Sequence, residues 1–353
     1  MFRHCLSAFI LAGTLQGAVE LCLPTGNQQL LSGAPELFYM HVDRTFEGQA
    51  SKPWEGGCFG FVRNAIRIED KVLYTKFHEG IDIAPLVRDS AGNPLDLVAS
   101  VADGQVVHSN KIAGHSNYGK YVVVEHKWEN SSVYSLYAHL AEISCNPGDP
   151  VKAGAVLGRM GFTGTGLGRD RAHLHLELAV LLSQHFDQWH KTCVGGTNYH
   201  GLFNGMNLSG FDPARFFLAH KANPELRIND FFATTPVYFK VTVPAKGTPD
   251  FVTRYPWICP GGTTQQEALS WEISFSATGL PLAFTPSQRQ VDAPIITSIL
   301  PSTIPQRYLT RNLVTGQQNH ASLTAAGKQL VTLLTDDFPA ATAAKEPAPS
   351  PKS

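Results

Sequence analysis

The sequence has no long apolar run in its interior, no C-x-x-C pair and no excess of charge of either sign. Each absence excludes a class of function. Without roughly 18 consecutive apolar residues there is no interior membrane-spanning helix. Only 16% of the 353 residues are charged and the net charge is −1, so nothing points to nucleic-acid binding or to a polybasic membrane patch. Six cysteines without C-x-x-C spacing offer no structural zinc site. No internal repeat stands out, and no Ser-His-Asp or Cys-His set is placed for nucleophilic catalysis.

Histidine, by contrast, is plentiful, with 14 residues. His173 and His175 lie in the run Arg171-Ala172-His173-Leu174-His175-Leu176-Glu177-Leu178, where leucines alternate with polar residues. That alternation predicts a half-buried strand. Residues i and i+2 of a strand face the same way, about 7 Å apart, so two imidazoles stand against one site. Upstream lies Phe77-His78-Glu79-Gly80-Ile81-Asp82-Ile83. Imidazole and carboxylate are both ordinary zinc ligands. Gly80 and Pro85 exclude a helix here, and Ile81, Asp82 and Ile83 alternate like a strand. A flat strand would part His78 and Asp82 by about 13 Å, too far to share one ion. A turn or bulge is therefore required, and Gly80 is the residue that permits it. A third segment, Tyr134-Ser135-Leu136-Tyr137-Ala138-His139-Leu140, follows the hairpin signal Glu129-Asn130-Ser131-Ser132 and ends a strand at His139.

Taken in order, these segments resemble the lysostaphin-type peptidoglycan zinc endopeptidases. The matching pieces are His78-Glu79-Gly80-Ile81-Asp82-Ile83, Tyr118-Gly119-Lys120-Tyr121-Val122-Val123-Val124-Glu125-His126, Tyr137-Ala138-His139-Leu140 and Gly148-Asp149-Pro150-Val151-Lys152-Ala153-Gly154. Gly158-Arg159-Met160-Gly161, Thr163-Gly164 and His173-Leu174-His175 complete them. The likeness runs from about His78 to Val180. It implies a mainly β fold of antiparallel sheets, with a long groove and one zinc ion per chain on its floor. It also implies that His78, Asp82 and His175 are the zinc ligands, and that His139 and His173 are the catalytic pair beside them. The loop from Gly164 to Ala172 is longer and more charged than the family's usual short stretch, and Phe162 stands where a small polar residue is common. Both departures bear on substrate preference. They leave substrate-binding residues unknown.

The chemistry can be reasoned from the residue types. Three protein ligands leave a fourth tetrahedral position open, as in catalytic zinc sites. Zinc lowers the pKa of a water there to about 7. One histidine must then take a proton and one donor must steady the tetrahedral oxyanion. His139 and His173 can fill these roles in either order. Glu79, next to a strand-borne ligand, should point away from the metal. Glu177 alternates in phase with His173 and His175, so it can orient one of them or form a strand-end salt bridge.

The rest of the chain sets the context. Residues 1–18 read as a secretory signal, with Arg3 before an apolar core from Leu6 to Leu15 and a cleavage point after Ala18. Cys22 is poorly placed for lipid attachment, because Glu20 and Leu21 precede it. Removal of the signal leaves five cysteines, an odd number in an oxidising compartment, so at least one thiol stays unpaired or joins another chain. Residues 19–74 read as an extension that packs on the catalytic sheet or lines a groove wall. Residues 75–221 carry the peptidase domain, closed by a short helix from Pro213 with Asp212 as its cap. Residues 222–338 read as a smaller β-rich, sandwich-like accessory domain, and 339–353 as a disordered tail.

The function expected from the resemblance is an exported zinc endopeptidase acting on peptidoglycan peptide in the periplasm, cell envelope or outside the cell. The alternative is a non-catalytic wall-binding or regulatory module on the same fold, which loss of a ligand or catalytic histidine would signal. Every residue with a chemical role precedes Val180, so a chain ending near Ala222 is expected to fold and hold zinc.

Overall fold

The computed structural model describes residues 19–262 and 268–338. The expected signal at 1–18 and tail at 339–353 lie outside the described residues. The fold is mainly β, with antiparallel sheets throughout. The site-bearing half contains strands β1 (Gly60–Ile68), β2 (Lys71–His78), β3 (Ile81–Ile83), β4 (Gly104–Asn110), β5 (Tyr121–Trp128), β6 (Ser131–Ala138), β7 (Leu174–Leu181) and β8 (Leu208–Phe211). Strands β7, β6, β5 and β4 lie side by side in that order. On the other side of β7, β3 pairs with residues 174–176 and β8 with residues 178–181, so the two short strands lie end to end.

The β5–β6 hairpin forms where the turn signal stands. Glu129 and Asn130 take φ values of 50° and 60°, the left-handed pair that a tight two-residue hairpin requires. The strand β7 differs from expectation. All eight of its residues are buried, not half of them. Leu174, Leu176, Leu178 and Val180 enter the main core. Ala179 and Leu181 on the other face are covered by a second cluster that includes Tyr121, Val123, Tyr134 and Leu208. Alternation in the sequence thus marks a polar site within a buried face, not a solvent face.

Residues 19–78 wrap the sheet. Phe38 and Leu30 are buried in the main core, Tyr39 bridges to Ile83, and the Met40 N–H donates to the Asp82 carbonyl at 2.8 Å. The strand β2 then runs without a break from this wrapping segment to His78.

The helix Pro213–Ala222 follows β8, and the Asp212 side chain caps it by accepting from the Arg215 N–H at 3.1 Å. Beyond it the chain builds a four-stranded antiparallel sheet from Phe239–Pro244, Ser270–Phe275, Pro281–Ser287 and Ile295–Ile299. A two-stranded sheet of Val314–Thr315 and Ser322–Leu323 accompanies it, and Val243 and Trp271 share a cleft with Val331 and Thr335 of the helix Ala325–Thr335. Both halves contribute to one contiguous hydrophobic core. No helix among the described residues is long and apolar enough to cross a membrane. Cys22, Cys58, Cys145, Cys193 and Cys259 are all free thiols.

Candidate metal centre

The register of β7 assembles the site. His175 is paired with Asp82 of β3 on one side and with Ala138 of β6 on the other. His78 ends β2, and the chain turns through Glu79 and Gly80 into β3. Gly80 serves a different purpose from the one expected of it. Its φ is not in the left-handed region. A Cβ there would sit 2.3 Å from the Leu176 carbonyl oxygen and 3.0 Å from His175 Cε1, so only glycine lets the turn lie against β7. His139 immediately follows β6 with φ 62°, an uncommon conformation outside glycine, held by its N–H donating to the Tyr118 carbonyl at 2.9 Å.

Three histidines present a nitrogen to one oxygen. Asp82 Oδ1 lies 3.1 Å from His78 Nε2, 2.9 Å from His175 Nδ1 and 3.3 Å from His173 Nε2. The atoms of His78, Asp82 and His175 fall within 4.8 Å of one another, close enough to share a metal ion. The His139 ring centroid is 4.9 Å from that of His173 and 5.8 Å from that of His175. All five residues singled out from the sequence therefore meet at one place.

The far nitrogens are fixed as well. Nδ1 of His78 donates to the Cys58 carbonyl at 2.8 Å, that of His139 to Thr163 at 2.8 Å, and that of His173 to Arg171 at 2.7 Å. These bonds place the proton on Nδ1 and turn Nε2 toward the centre. His175 is reversed, with Nδ1 inward and Nε2 3.0 Å from Glu177 Oε1. The Tyr118 hydroxyl donates to the same carboxylate oxygen at 2.5 Å. A set of two imidazoles and one carboxylate, each oriented by an outer partner, is the donor chemistry that suits zinc.

Electrostatics follow from burial and contact. Burial alone would raise the Asp82 carboxyl, but His173, His78 and His175 hold it well below the usual range. Burial opposes a charge on His175, yet Asp82 and Glu177 on either side outweigh it and push the imidazole up to about 10. His139 goes the other way. Burial, reinforced by His173 and His175, pushes it down to about 3. Burial and the adjacent Glu177 keep Tyr118 protonated far above neutrality, so it remains a donor.

Two residues escaped the sequence reading. Tyr118 stood inside a matching motif without a role. Arg63 was only one letter in an aromatic and glycine-rich stretch, and nothing in that stretch signals it. Its Nη2 pairs with Asp82 Oδ2 and lies 3.4 Å from His78 Nε2. The long loop before β7 is strapped down by two other arginines. Arg88 donates to the Gly92 and Arg169 carbonyls, each at 2.8 Å, and Arg169 donates to Ala91 at 2.7 Å while lying over the Phe162 ring.

Residues 76–187 match the family model described as peptidase family M23. This bears out the likeness drawn from the motifs. The lipoprotein NlpD/LppB homolog of Pseudomonas aeruginosa is 34% identical over 101 residues, which span 29% of this chain and 29% of that protein. A zinc-containing peptidase from Vibrio cholerae is a solved structure with 28% identity over 40% of this chain and 36% of that one, at a TM-score of 0.25. The catalytic domain of the antimicrobial peptidase lysostaphin from Staphylococcus simulans is 19% identical, covers 48% of this chain and 99% of that one, and has a TM-score of 0.28.

Proposed function

We propose that the chain is an exported zinc metalloendopeptidase that hydrolyses peptide bonds in peptidoglycan cross-links or stems, with one zinc ion held by His78, Asp82 and His175. The observation that carries this reading is the convergence of three imidazole nitrogens on Asp82 Oδ1 within 3.3 Å, with His139 beside them. The ion would supply Lewis acidity toward the scissile carbonyl and acidify a water to near pH 7.

The chain's own residues divide the remaining work. His139 lies beside His173 and His175 with its Nδ1 proton held by the Thr163 carbonyl, which leaves its other ring nitrogen without a proton and placed to accept one. His173 keeps its Nδ1 proton on the Arg171 carbonyl and turns the lone pair of Nε2 toward Asp82, so it can steady a developing oxyanion only after that nitrogen has taken up a proton. Glu177 and Tyr118 hold the His175 ring. A non-catalytic wall-binding module would have no need of this full set.

The test is digestion of purified peptidoglycan with and without a chelator, followed by mass analysis of the released muropeptides. Chelator-sensitive cleavage of a peptide bond supports the reading. Intact peptidoglycan with zinc-loaded protein overturns it. Export is tested by sequencing the N-terminus of the mature protein, which should begin near Val19 in the envelope or medium.

A further inference from the structure

Asp82 has two oxygens, and the structure divides them. Oδ1 faces the three histidine nitrogens, and Oδ2 is taken by Arg63. The arginine reaches it through local features of β1. The register of β1 against β2 shifts between Phe61 and Arg63, and Asn64 follows with φ 54°. A bulge of this kind re-aims a side chain, and bulges favour the neighbourhood of active sites. The Nε of Arg63 then donates to the Gly56 carbonyl at 2.8 Å, which fixes the fork. The Arg63 side chain is 21% exposed while that of Asp82 is 2% exposed, so the guanidinium stands between solvent and the carboxylate.

This arrangement has a chemical consequence for the proposed zinc site. A carboxylate with both oxygens bare can grip an ion with two atoms and crowd out the open position that hydrolysis needs. A carboxylate with one oxygen held by a guanidinium offers a single atom. We propose that Arg63 is a positioning residue that reserves Asp82 Oδ2, so that Asp82 serves as a one-oxygen ligand and the ion keeps an open coordination position. The inference rests on the metal site proposed above, and it brings the segment preceding the matched family region into the working of that site.

The test uses the full chain loaded with cobalt(II) in place of zinc, because the visible bands of cobalt report its coordination without any substrate. Arg63→Met should take up cobalt but lose the intense bands of a four-coordinate centre. Its peptidoglycan cleavage should fall roughly tenfold to a hundredfold, as for other groups that orient a metal ligand. Arg63→Lys, which keeps a charge near Oδ2, should recover part of both. An unchanged spectrum in folded Arg63→Met overturns the inference. If that variant does not fold, Arg63→Gln takes its place: loss of the intense bands supports the inference, and an unchanged spectrum overturns it. Wild-type protein that binds no cobalt would sink the metal site itself. Wild-type protein that binds cobalt but leaves peptidoglycan intact would sink only the substrate, with the spectral comparison still decisive.

Discussion

His175 and Glu177, two residues apart on β7, point the same way and meet at 3.0 Å between Nε2 and Oε1. The strand repeat puts both on one face, and the hydrogen bond then determines which imidazole nitrogen turns inward. Replacing Glu177 with Gln keeps the shape but weakens the acceptor. Metal affinity should fall roughly tenfold to a hundredfold, measured by competition with a chromophoric chelator. Tyr118→Phe, which removes only the outer donor, should cost less. Equal affinity in Glu177→Gln and wild type would remove this carboxylate from the site's design.

Ligands and catalytic groups should separate on mutation. His175→Ala should lose most of the bound zinc by metal analysis. His139→Ala and His173→Ala should retain zinc and lose cleavage by about two orders of magnitude or more each. Full activity in either of the last two would strike that residue from the mechanism.

Acid should destabilise the fold through His126, away from the site. Its ring is fully buried, with Nδ1 2.8 Å from the Asp103 carbonyl and Nε2 2.7 Å from Ser135 Oγ. Burial pushes its pKa down to about 4. The unfolded chain, with an ordinary histidine pKa near 6.5, therefore binds the proton more readily. The contribution is fully present above about pH 6.5 and is lost as pH falls toward 4, up to about 3 kcal/mol. His108, also pushed down to about 4 by burial, acts in the same direction. Urea midpoints of His126→Gln should show a shallower decline between those pH values than the wild type. A parallel decline would remove His126 from the account.

Ending the chain at Ala222 should be costly, contrary to the independence that the placement of chemical residues suggests. Phe211 and Phe216 pack on Phe231 at ring distances of 5.7 and 5.0 Å, and Phe211 lies 5.4 Å from Phe232. The Leu181 N–H donates to the Tyr255 hydroxyl at 2.9 Å, and Arg254 donates to the Leu181 carbonyl at 2.7 Å. Arg311 lies 4.4 Å over the ring of Phe77, one residue before His78. Losing even one such phenylalanine from a core costs about 3–5 kcal/mol, so the shortened chain should melt far lower or fail to fold. A melting temperature equal to that of the full chain would show these contacts to be dispensable.

The five residues were legible because they sit on strands or at strand ends whose alternation can be read locally. The resemblance to a known family, carried by the order and spacing of these segments, named His78, Asp82, His139, His173 and His175 as one set, and antiparallel pairing opposite β7 brings them together. Arg63 was illegible because its aim depends on a bulge and a left-handed asparagine, and neither leaves a pattern in the letters. The burial of β7 was misjudged for a similar reason. What covers its second face comes from Tyr121, Tyr134 and Leu208, far apart in sequence.

The carboxylates flanking His175 make it a place where a proton is stored. Held up to about 10, the ring carries its extra proton across the neutral range, with Nδ1 bonded to Asp82. A divalent cation arriving at Nδ1 must expel that proton to solution. Uptake at the proposed site would then be an exchange and not a simple addition, so that binding the ion releases a proton.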